Sequence, residues 1–202
     1  MNPARWNHDL DPARQLRDLV DLSLEPGYLI TEFRQGGDGE AIAWGDLEPW
    51  TRSRAVTVAD VAGTVASPAL EVALCSDLVY LRPDAILRLS LSSAAPNPGV
   101  LWALTRRGRR ALFRGLLDTA DVAATEAATI GLAEAVIPTG DPLPLPTASS
   151  VPALTSVRDL IRSSATGSAG LALELATFRL LFASGDPAEG ARAFLEKREP
   201  EF

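Results

Sequence analysis

The sequence has very few of the residues on which several common chemistries depend. It contains one cysteine, Cys75, and one histidine, His8, in 202 residues. A single cysteine excludes an internal disulfide and a zinc ribbon. A single histidine near the N-terminus leaves nothing with which to build a Ser-His-Asp triad or a histidine metal site. We therefore expect no metal site.

Long apolar runs are also missing. No stretch approaches the roughly 20 apolar residues of a membrane-spanning helix, and residues 1–12 lack the apolar core of a signal peptide. The net charge of −7 argues against nucleic acid as the main partner. With 47% hydrophobic residues the chain can form one well-buried core. We expect a globular cytoplasmic protein that binds neither membranes nor nucleic acid.

Residues 54–74 read as a strand, a tight turn and a helix. A β-branched apolar run predicts a buried strand that Gly63 ends. Ser67 and Pro68 predict a helix start, with the hydroxyl as N-cap and the proline at the first helical position. Glu71 then lies one turn inside, near free amides that stabilise a carbonyl oxygen as it becomes negative. An active site has this form, but so does a helix whose glutamate is only solvated or ion-paired.

Apolar periodicity and turn residues predict further helices and strands on both sides of this stretch. Leu87, Leu89 and Leu91 alternate along one strand and are expected on one face. We expect helices from 12 to about 25 and at 101–117, 123–131, 156–163, 171–182 and from 187, strands at 28–33, 78–81, 86–91 and 133–137, and a proline-rich linker at 138–152.

Three segments, in the same order as here, resemble motifs of the enoyl-CoA hydratase/isomerase (crotonase) superfamily. They are GTVASPALEVALCSD (63–77), LLDTADVAATEAATIGLAEAVIP (116–138) and DPAEGARAFLEKREPEF (186–202). The resemblance implies an α/β fold, a crotonase-like spiral of ββα units with a C-terminal helical trimerisation region. We expect an N-terminally truncated spiral core at 1–146 and a helical oligomerisation region at 147–202.

The resemblance also implies which groups polarise a thioester carbonyl. Residues 41–47, AIAWGDL, are similar to the family's "AF.AGADL" turn, so one oxyanion-hole amide maps to Gly45 or Asp46. The second maps to the family's three glycines, where this chain has Ser67, Pro68 and Ala69. Pro68 has no N–H to donate, which leaves the first-turn amides of Ala69 and its successor Leu70 as a shifted donor.

Glu71 aligns with the first of two glutamates that hydratases of this family use for proton transfer. The second position falls near Leu91, so ordinary hydration, which uses both carboxylates, is not expected to be efficient. Double-bond shift, decarboxylation and substrate-assisted dehydration remain open to one carboxylate. The helical pocket wall of the family is reduced to residues 48–53, where Trp50 is expected to fill vacated space.

Two C-terminal positions match contacts that the family makes with coenzyme A across a subunit interface. Phe194 and Lys197 correspond to residues at the adenine end of that ligand, and the alternative is a core aromatic and a surface lysine. The arginines of residues 101–117 form a basic face, read either as a contact for phosphates or an acidic carrier protein, or as a solvated face. The expected assembly is a homotrimer or a dimer of trimers.

These observations favour an enzyme that hydrates, dehydrates, isomerises or decarboxylates an acyl thioester through its enolate. The expected substrate is an acyl-CoA or acyl-carrier-protein thioester, with coenzyme A or phosphopantetheine present only as part of the substrate. The truncated pattern favours bacterial secondary metabolism, such as polyketide biosynthesis. The alternative is a catalytically degenerate homologue, serving as an accessory subunit or as an acyl-CoA or carrier-protein binding module.

Overall fold

The structure of the chain is a computed structural model. It describes residues 4–7, 11–22, 27–34, 42, 44–89, 121–145, 151–163, 179, 183 and 185–201. The chain divides into two compact units, 1–143 and 144–202. Leu91, the basic helix expected at 101–117 and, apart from residue 179, the helix expected at 171–182 lie outside the described residues.

The described strands of the first unit form two sheets. The strands are β1 (Ala4–Arg5), β2 (Tyr28–Phe33), β3 (Val56–Val61), β4 (Thr64–Val65), β5 (Leu78–Leu81), β6 (Ile86–Arg88), β7 (Asp121–Ala123) and β8 (Ala135–Val136). One sheet is parallel throughout, in the order β1-β2-β3-β5-β8. The other has the order β4-β6-β7, with β4 and β6 parallel and β6 and β7 antiparallel.

From β3 to β6 successive strands alternate between the two sheets, as in a spiral. The chain runs from β3 in the first sheet to β4 in the second, passes through a helix, and then repeats this path with β5 and β6. Gly63 makes the sharp corner between β3 and β4. Its φ of +64° is left-handed, and a Cβ at this position would lie 2.5 Å from the carbonyl oxygen of Arg34, so only glycine fits without strain. The expected ββα spiral is confirmed.

Four helices of the first unit are described: α1 (Pro12–Leu22), α2 (Trp44–Thr51), α3 (Ala69–Leu74) and α4 (Ala124–Thr129). At the start of α1, the Asp11 carboxylate accepts a hydrogen bond of 3.0 Å from the Ala13 amide, as expected of an N-cap. The turn expected around Gly45 and Asp46 is instead the first turn of α2, a helix that tolerates Pro49 in its interior. The reduced pocket wall is therefore still helical.

The predicted cap of α3 is wrong. Pro68, and not Ser67, is the N-cap residue, and no side chain caps this helix. The hydroxyl of Ser67 donates instead to the Glu71 carboxylate. A hydrogen bond from the hydroxyl to a charged carboxylate is stronger than a neutral bond between the hydroxyl and a main-chain amide. The Ser67 side chain therefore pairs with Glu71 and does not cap the free amides of α3.

The second unit contributes two described helices, α5 (Val151–Ser163) and α6 (Asp186–Glu196). The sequence placed the start of α5 at 156, five residues late, because Pro152 was read as part of the linker, whereas proline is well tolerated in a first helical turn. Lys197 ends α6 in a left-handed conformation, with φ 53°. In the described part of the chain, no helix is both long enough and apolar enough to cross a membrane.

Candidate active site

The candidate site is built around Glu71, on a helix that is entirely buried. All six residues of α3 are buried, and the Glu71 side chain is 0% exposed. The other five are alanine, leucine and valine, which pack in the core of the first unit. An ionisable group in such surroundings needs hydrogen bonds to offset its lost hydration.

Both carboxylate oxygens of Glu71 accept hydrogen bonds. The main-chain amide of Ile42 donates to Oε2 at 3.1 Å, and the Ser67 hydroxyl donates to Oε1. Ile42 is itself 4% exposed, whereas Ser67 is only half-buried. Ser67 is therefore the least buried of the three residues joined by these two hydrogen bonds.

Trp50 links α2 to α3, the helix that carries Glu71, through a hydrogen bond. Its side chain is 0% exposed, and its indole Nε1–H donates to the carbonyl oxygen of Val72 at 3.2 Å. A buried indole N–H needs such a partner. This contact fixes the distance between α2 and α3 one residue away from the carboxylate.

Asp77, the last residue of the segment 63–77, has a structural role. Its Oδ2 accepts hydrogen bonds from the Thr57 amide at 2.9 Å and the Thr57 hydroxyl at 3.1 Å, and its own amide donates to the Thr57 hydroxyl at 2.9 Å. These bonds hold the exit of α3 against the start of β3. Asp77 is therefore engaged in fixing the backbone.

A third carboxylate, that of Asp60, is held in a buried ion-pair network at the end of β3. Arg82 binds it through two bonds, of 2.9 and 3.0 Å, and Arg34 adds a third of 3.1 Å. Burial alone raises the pKa of Asp60, but the hydrogen bonds from the two arginines outweigh it, so this pKa lies below its ordinary value. Arg82 also donates to the carbonyl oxygens of Pro138 and Asp141, at 2.7 and 3.0 Å.

The groups expected to polarise a thioester carbonyl lie at two helix starts. Gly45 and Asp46 lie in the first turn of α2, and Pro68 is the N-cap of α3. The Leu70 amide is already used, since it donates to the carbonyl oxygen of Ala66 at 2.9 Å. The Ala69 amide has no acceptor among the described residues. Of the two alternative donors that the sequence predicted, the Ala69 amide is therefore the one that can donate to a ligand.

Phe194 and Lys197 lie in the second unit, at the end of α6. Phe194 is 83% exposed, so its alternative reading as a core aromatic is wrong for the isolated chain. Lys197 is exposed as well. Among the described residues, no cluster of three or more histidine, cysteine or acidic side chains could hold a metal ion.

Sequence reasoning missed two groups that contact Glu71. The Ile42 amide carries no side-chain signal that could have revealed it. Ser67 did carry one, because residues four apart in a helical turn lie on the same side, but the same residue also fitted a cap. The structure decides in favour of the contact with Glu71.

A comparison of sequences assigns the family. No family model matches the chain. One curated protein is 30% identical to it over 223 aligned positions, which cover 93% of this chain and 87% of that protein, and the chain therefore belongs to the enoyl-CoA hydratase/isomerase (crotonase) family. That relative is a Bacillus subtilis (strain 168) protein named "Putative enoyl-CoA hydratase/isomerase YhaR".

Solved structures share the fold. DspI of Pseudomonas aeruginosa aligns with a TM-score of 0.77 and 24% identity, covering 100% of this chain and 90% of its own. An enoyl-CoA hydratase of Bacillus anthracis aligns with a TM-score of 0.75 and 17% identity, covering 98% of this chain and 90% of its own. The Bacillus subtilis and Bacillus anthracis proteins are named as an enoyl-CoA hydratase/isomerase and an enoyl-CoA hydratase. These names agree with the expectation that the chain is an enzyme of this family.

Proposed function

We propose that the protein acts on an acyl thioester through a thioester enolate, with Glu71 as the proton-transfer group. The observation that carries this proposal is the carboxylate of Glu71, fully buried between the Ile42 amide and the Ser67 hydroxyl. It lies on the short helix that follows the corner between the two sheets. Membership in the crotonase family supports the acyl thioester as substrate class.

Packing alone gives no reason for a glutamate at this position. The other five residues of α3 are apolar and buried, and replacing buried charged groups by well-packed apolar ones is often neutral or stabilising. A proton-carrying group in a buried, hydrogen-bonded setting is instead what acid–base catalysis requires. We therefore interpret Glu71 as functional.

The chemistry proposed for Glu71 is the kind that one carboxylate can perform. Leu87 in β6 and Leu89, directly after it, are 0% and 2% exposed. Leu91, outside the described residues, has no carboxylate either. A double-bond shift is the simplest such reaction, because a base can return to one carbon the proton that it removed from another. Hydration or dehydration assisted by the substrate and decarboxylation through the same enolate are the other members of this proposal.

The thioester carbonyl would be polarised by main-chain amides. The proposed donors are the amide of Gly45 or Asp46, at the start of α2, and that of Ala69, at the start of α3. A shared contact supports the pairing, since Trp50 ties α2 to α3 through Val72. Pro68 marks the second donor's position in the family pattern but contributes no N–H.

One observation favours a second candidate, a homologue that binds the thioester or a carrier protein without turning it over. Both carboxylate oxygens of Glu71 are engaged and the side chain is 0% exposed. The same geometry therefore also fits a purely structural role, in which the Glu71 side chain holds the segment before α2 against α3. In this case the protein would serve as an accessory subunit or binding module.

The group that carries the acyl chain, the oligomeric state and the cellular setting are parts of the same proposal. We infer that the acyl group is carried as a thioester of coenzyme A or of a carrier-bound phosphopantetheine, and that Phe194 and Lys197 contact the distal end of this group. We also infer that the protein is a cytoplasmic enzyme of bacterial secondary metabolism. Exposed apolar side chains in the second unit support a trimer: Val157 and Ile161 on α5 are 50% and 62% exposed, and Phe194 and Leu195 on α6 are 83% and 80% exposed. Light scattering is expected to give a trimer or hexamer, and a monomer at all concentrations would contradict this assignment.

Thermal unfolding with added ligand tests the substrate class. A ligand that binds only the native state adds about 2.7 kcal/mol to the free energy of unfolding at a hundred times its Kd, and this raises the melting temperature. Crotonyl-CoA and acetoacetyl-CoA are expected to raise it more than free coenzyme A does. No shift with any of the three at millimolar concentration would contradict an acyl-CoA substrate and direct the search to carrier-bound thioesters.

A further inference from the structure

The position of Ser67 suggests how a buried carboxylate could act on a substrate. We propose that the hydroxyl of Ser67 relays the proton between Glu71 and the α-carbon of the thioester, and is thus a second catalytic residue. This inference rests on the proposed function and specifies how its proton-transfer group reaches the substrate.

The relay follows from which of the two side chains is accessible. Glu71 is 0% exposed, its Oε2 is held by the Ile42 amide and its Oε1 by the Ser67 hydroxyl. Ser67 is less buried than Glu71, and its hydroxyl is bonded to Oε1, so in this proposal the substrate contacts the serine oxygen and not the carboxylate. In this geometry direct contact with Oε1 would require Ser67 to move away, whereas the relay uses the hydrogen bond that already exists.

The proton transfer balances without any further reactant. The Ser67 oxygen takes a proton from the α-carbon of the thioester as its own proton passes to Oε1 of Glu71. The electron pair of the broken C–H bond moves into the thioester enolate. In the reverse direction Glu71 returns its proton to Ser67, and the serine proton goes to the α-carbon or, for a double-bond shift, to the γ-carbon. Both residues end in their starting forms.

A second serine next to α3 makes a contact of a different kind. Ser76 follows α3 as Ser67 precedes it, but the Ser76 hydroxyl donates to the main-chain carbonyl of Val72, at 3.1 Å. That carbonyl cannot accept a proton for transfer at neutral pH. Ser76 is therefore the matched control for a hydroxyl that has a structural contact on the same helix.

The test measures exchange of the α-hydrogens of butyryl-CoA in D₂O by NMR, because this exchange reports enolate formation whichever overall reaction follows. Ser67→Ala is expected to slow exchange about 100-fold, within the usual range for a positioned acid–base group, with the KM changed less than threefold. Ser67→Thr keeps the hydroxyl and should stay within tenfold of the wild type, and Ser76→Ala should stay within twofold. The double variant Ser67→Ala/Glu71→Gln should lose no more than Glu71→Gln alone, since the two groups act as a unit.

The possible failures are distinguishable. Exchange by Ser67→Ala within twofold of the wild type, together with loss in Glu71→Gln, overturns the relay and leaves the proposed function standing. If Ser67→Ala does not fold, a folded Ser67→Thr variant that has lost exchange overturns the relay in the same way. A wild-type protein that binds butyryl-CoA but exchanges none of its hydrogens overturns the relay and the proposed enzymatic function together.

Discussion

The main-chain amide of Ile42 donates to Oε2 of Glu71 at 3.1 Å, across 29 positions of sequence. This bond joins the segment that leads into α2 to the buried helix α3. The proposed oxyanion donors lie on the same two elements, at the start of each helix. A change on one element is therefore expected to affect the carboxylate and the proposed donors together.

Trp50→Phe tests this coupling. The substitution removes the N–H that binds the Val72 carbonyl, which keeps its hydrogen bond from the Ser76 hydroxyl. We therefore expect the loss of one hydrogen bond, about 0.5–1.5 kcal/mol in the free energy of unfolding, and a lower kcat. Urea unfolding and turnover are the measurements. Trp6→Phe is the control: Trp6 is also buried, with its ring 5.9 Å from that of Phe33, and the variant retains an aromatic ring there. Equal losses in both variants would contradict a specific role for the Trp50 contact.

Asp60→Asn tests the ion-pair network at the end of β3. The pKa of Asp60 is lower in the folded chain than in the unfolded chain, so its carboxylate stabilises the fold above the unfolded pKa of about 3.9, and this stabilisation is lost as the pH falls through the folded pKa. We expect wild type and variant to differ by about 3 kcal/mol at pH 7, because removing one partner leaves a buried Arg82 unpaired.

The pH dependence is the sharper part of this prediction. In urea unfolding at a series of pH values, the difference between wild type and Asp60→Asn should be constant above about pH 5 and shrink below about pH 4. Asp121→Asn is the control, because Asp121 forms a similar two-bond pair with Arg88 that is exposed to solvent, where such pairs contribute little. A difference that does not change with pH would contradict the account of Asp60.

Phe194→Ala and Lys197→Ala test the proposed contact with the distal part of coenzyme A. Each is expected to raise the KM for an acyl-CoA several-fold and leave kcat unchanged, since the contact is remote from the reacting carbon. The same variants should leave the KM for an acyl-pantetheine thioester, which lacks the adenine end, unchanged. An equal rise for both substrates would contradict the assignment and point to a general effect of α6.

Individual strands and turns of the spiral could be predicted because their determinants are local. Alternating residues and turn glycines gave β2 and β5 with the bounds that the structure has, and Gly63 marked the corner after β3. The start of α5 was placed late because one proline was given the wrong role. The resemblance supplied the order of the units, which periodicity alone does not contain.

The surroundings of Glu71 could be predicted only in part. The glutamate itself was identified, since its position follows from the start of the helix. Its partners were not, because Ile42 contributes a main-chain amide that every residue has, and Ser67 had two local partners that sequence alone does not rank. The choice between capping α3 and binding Glu71 depends on the depth of the carboxylate in the core, which is a tertiary property.

Glu71→Gln tests the central claim most directly. The amide keeps the size of the side chain and an oxygen for the Ile42 amide, but it cannot carry a proton. We expect the variant to fold, with a melting temperature within a few degrees of the wild type, to bind the acyl thioester and to lose turnover by about 10²- to 10⁴-fold. Glu134→Gln is the control, since the Glu134 carboxylate also accepts a hydrogen bond from a main-chain amide, that of Val79 in β5.

The measurement is turnover of one acyl-CoA by the wild type and both variants, each shown to be folded. A loss confined to Glu71→Gln is the result that an enzyme using this carboxylate predicts. A folded Glu71→Gln protein that turns over the thioester as fast as the wild type would contradict the account and leave Glu71 with a purely structural role.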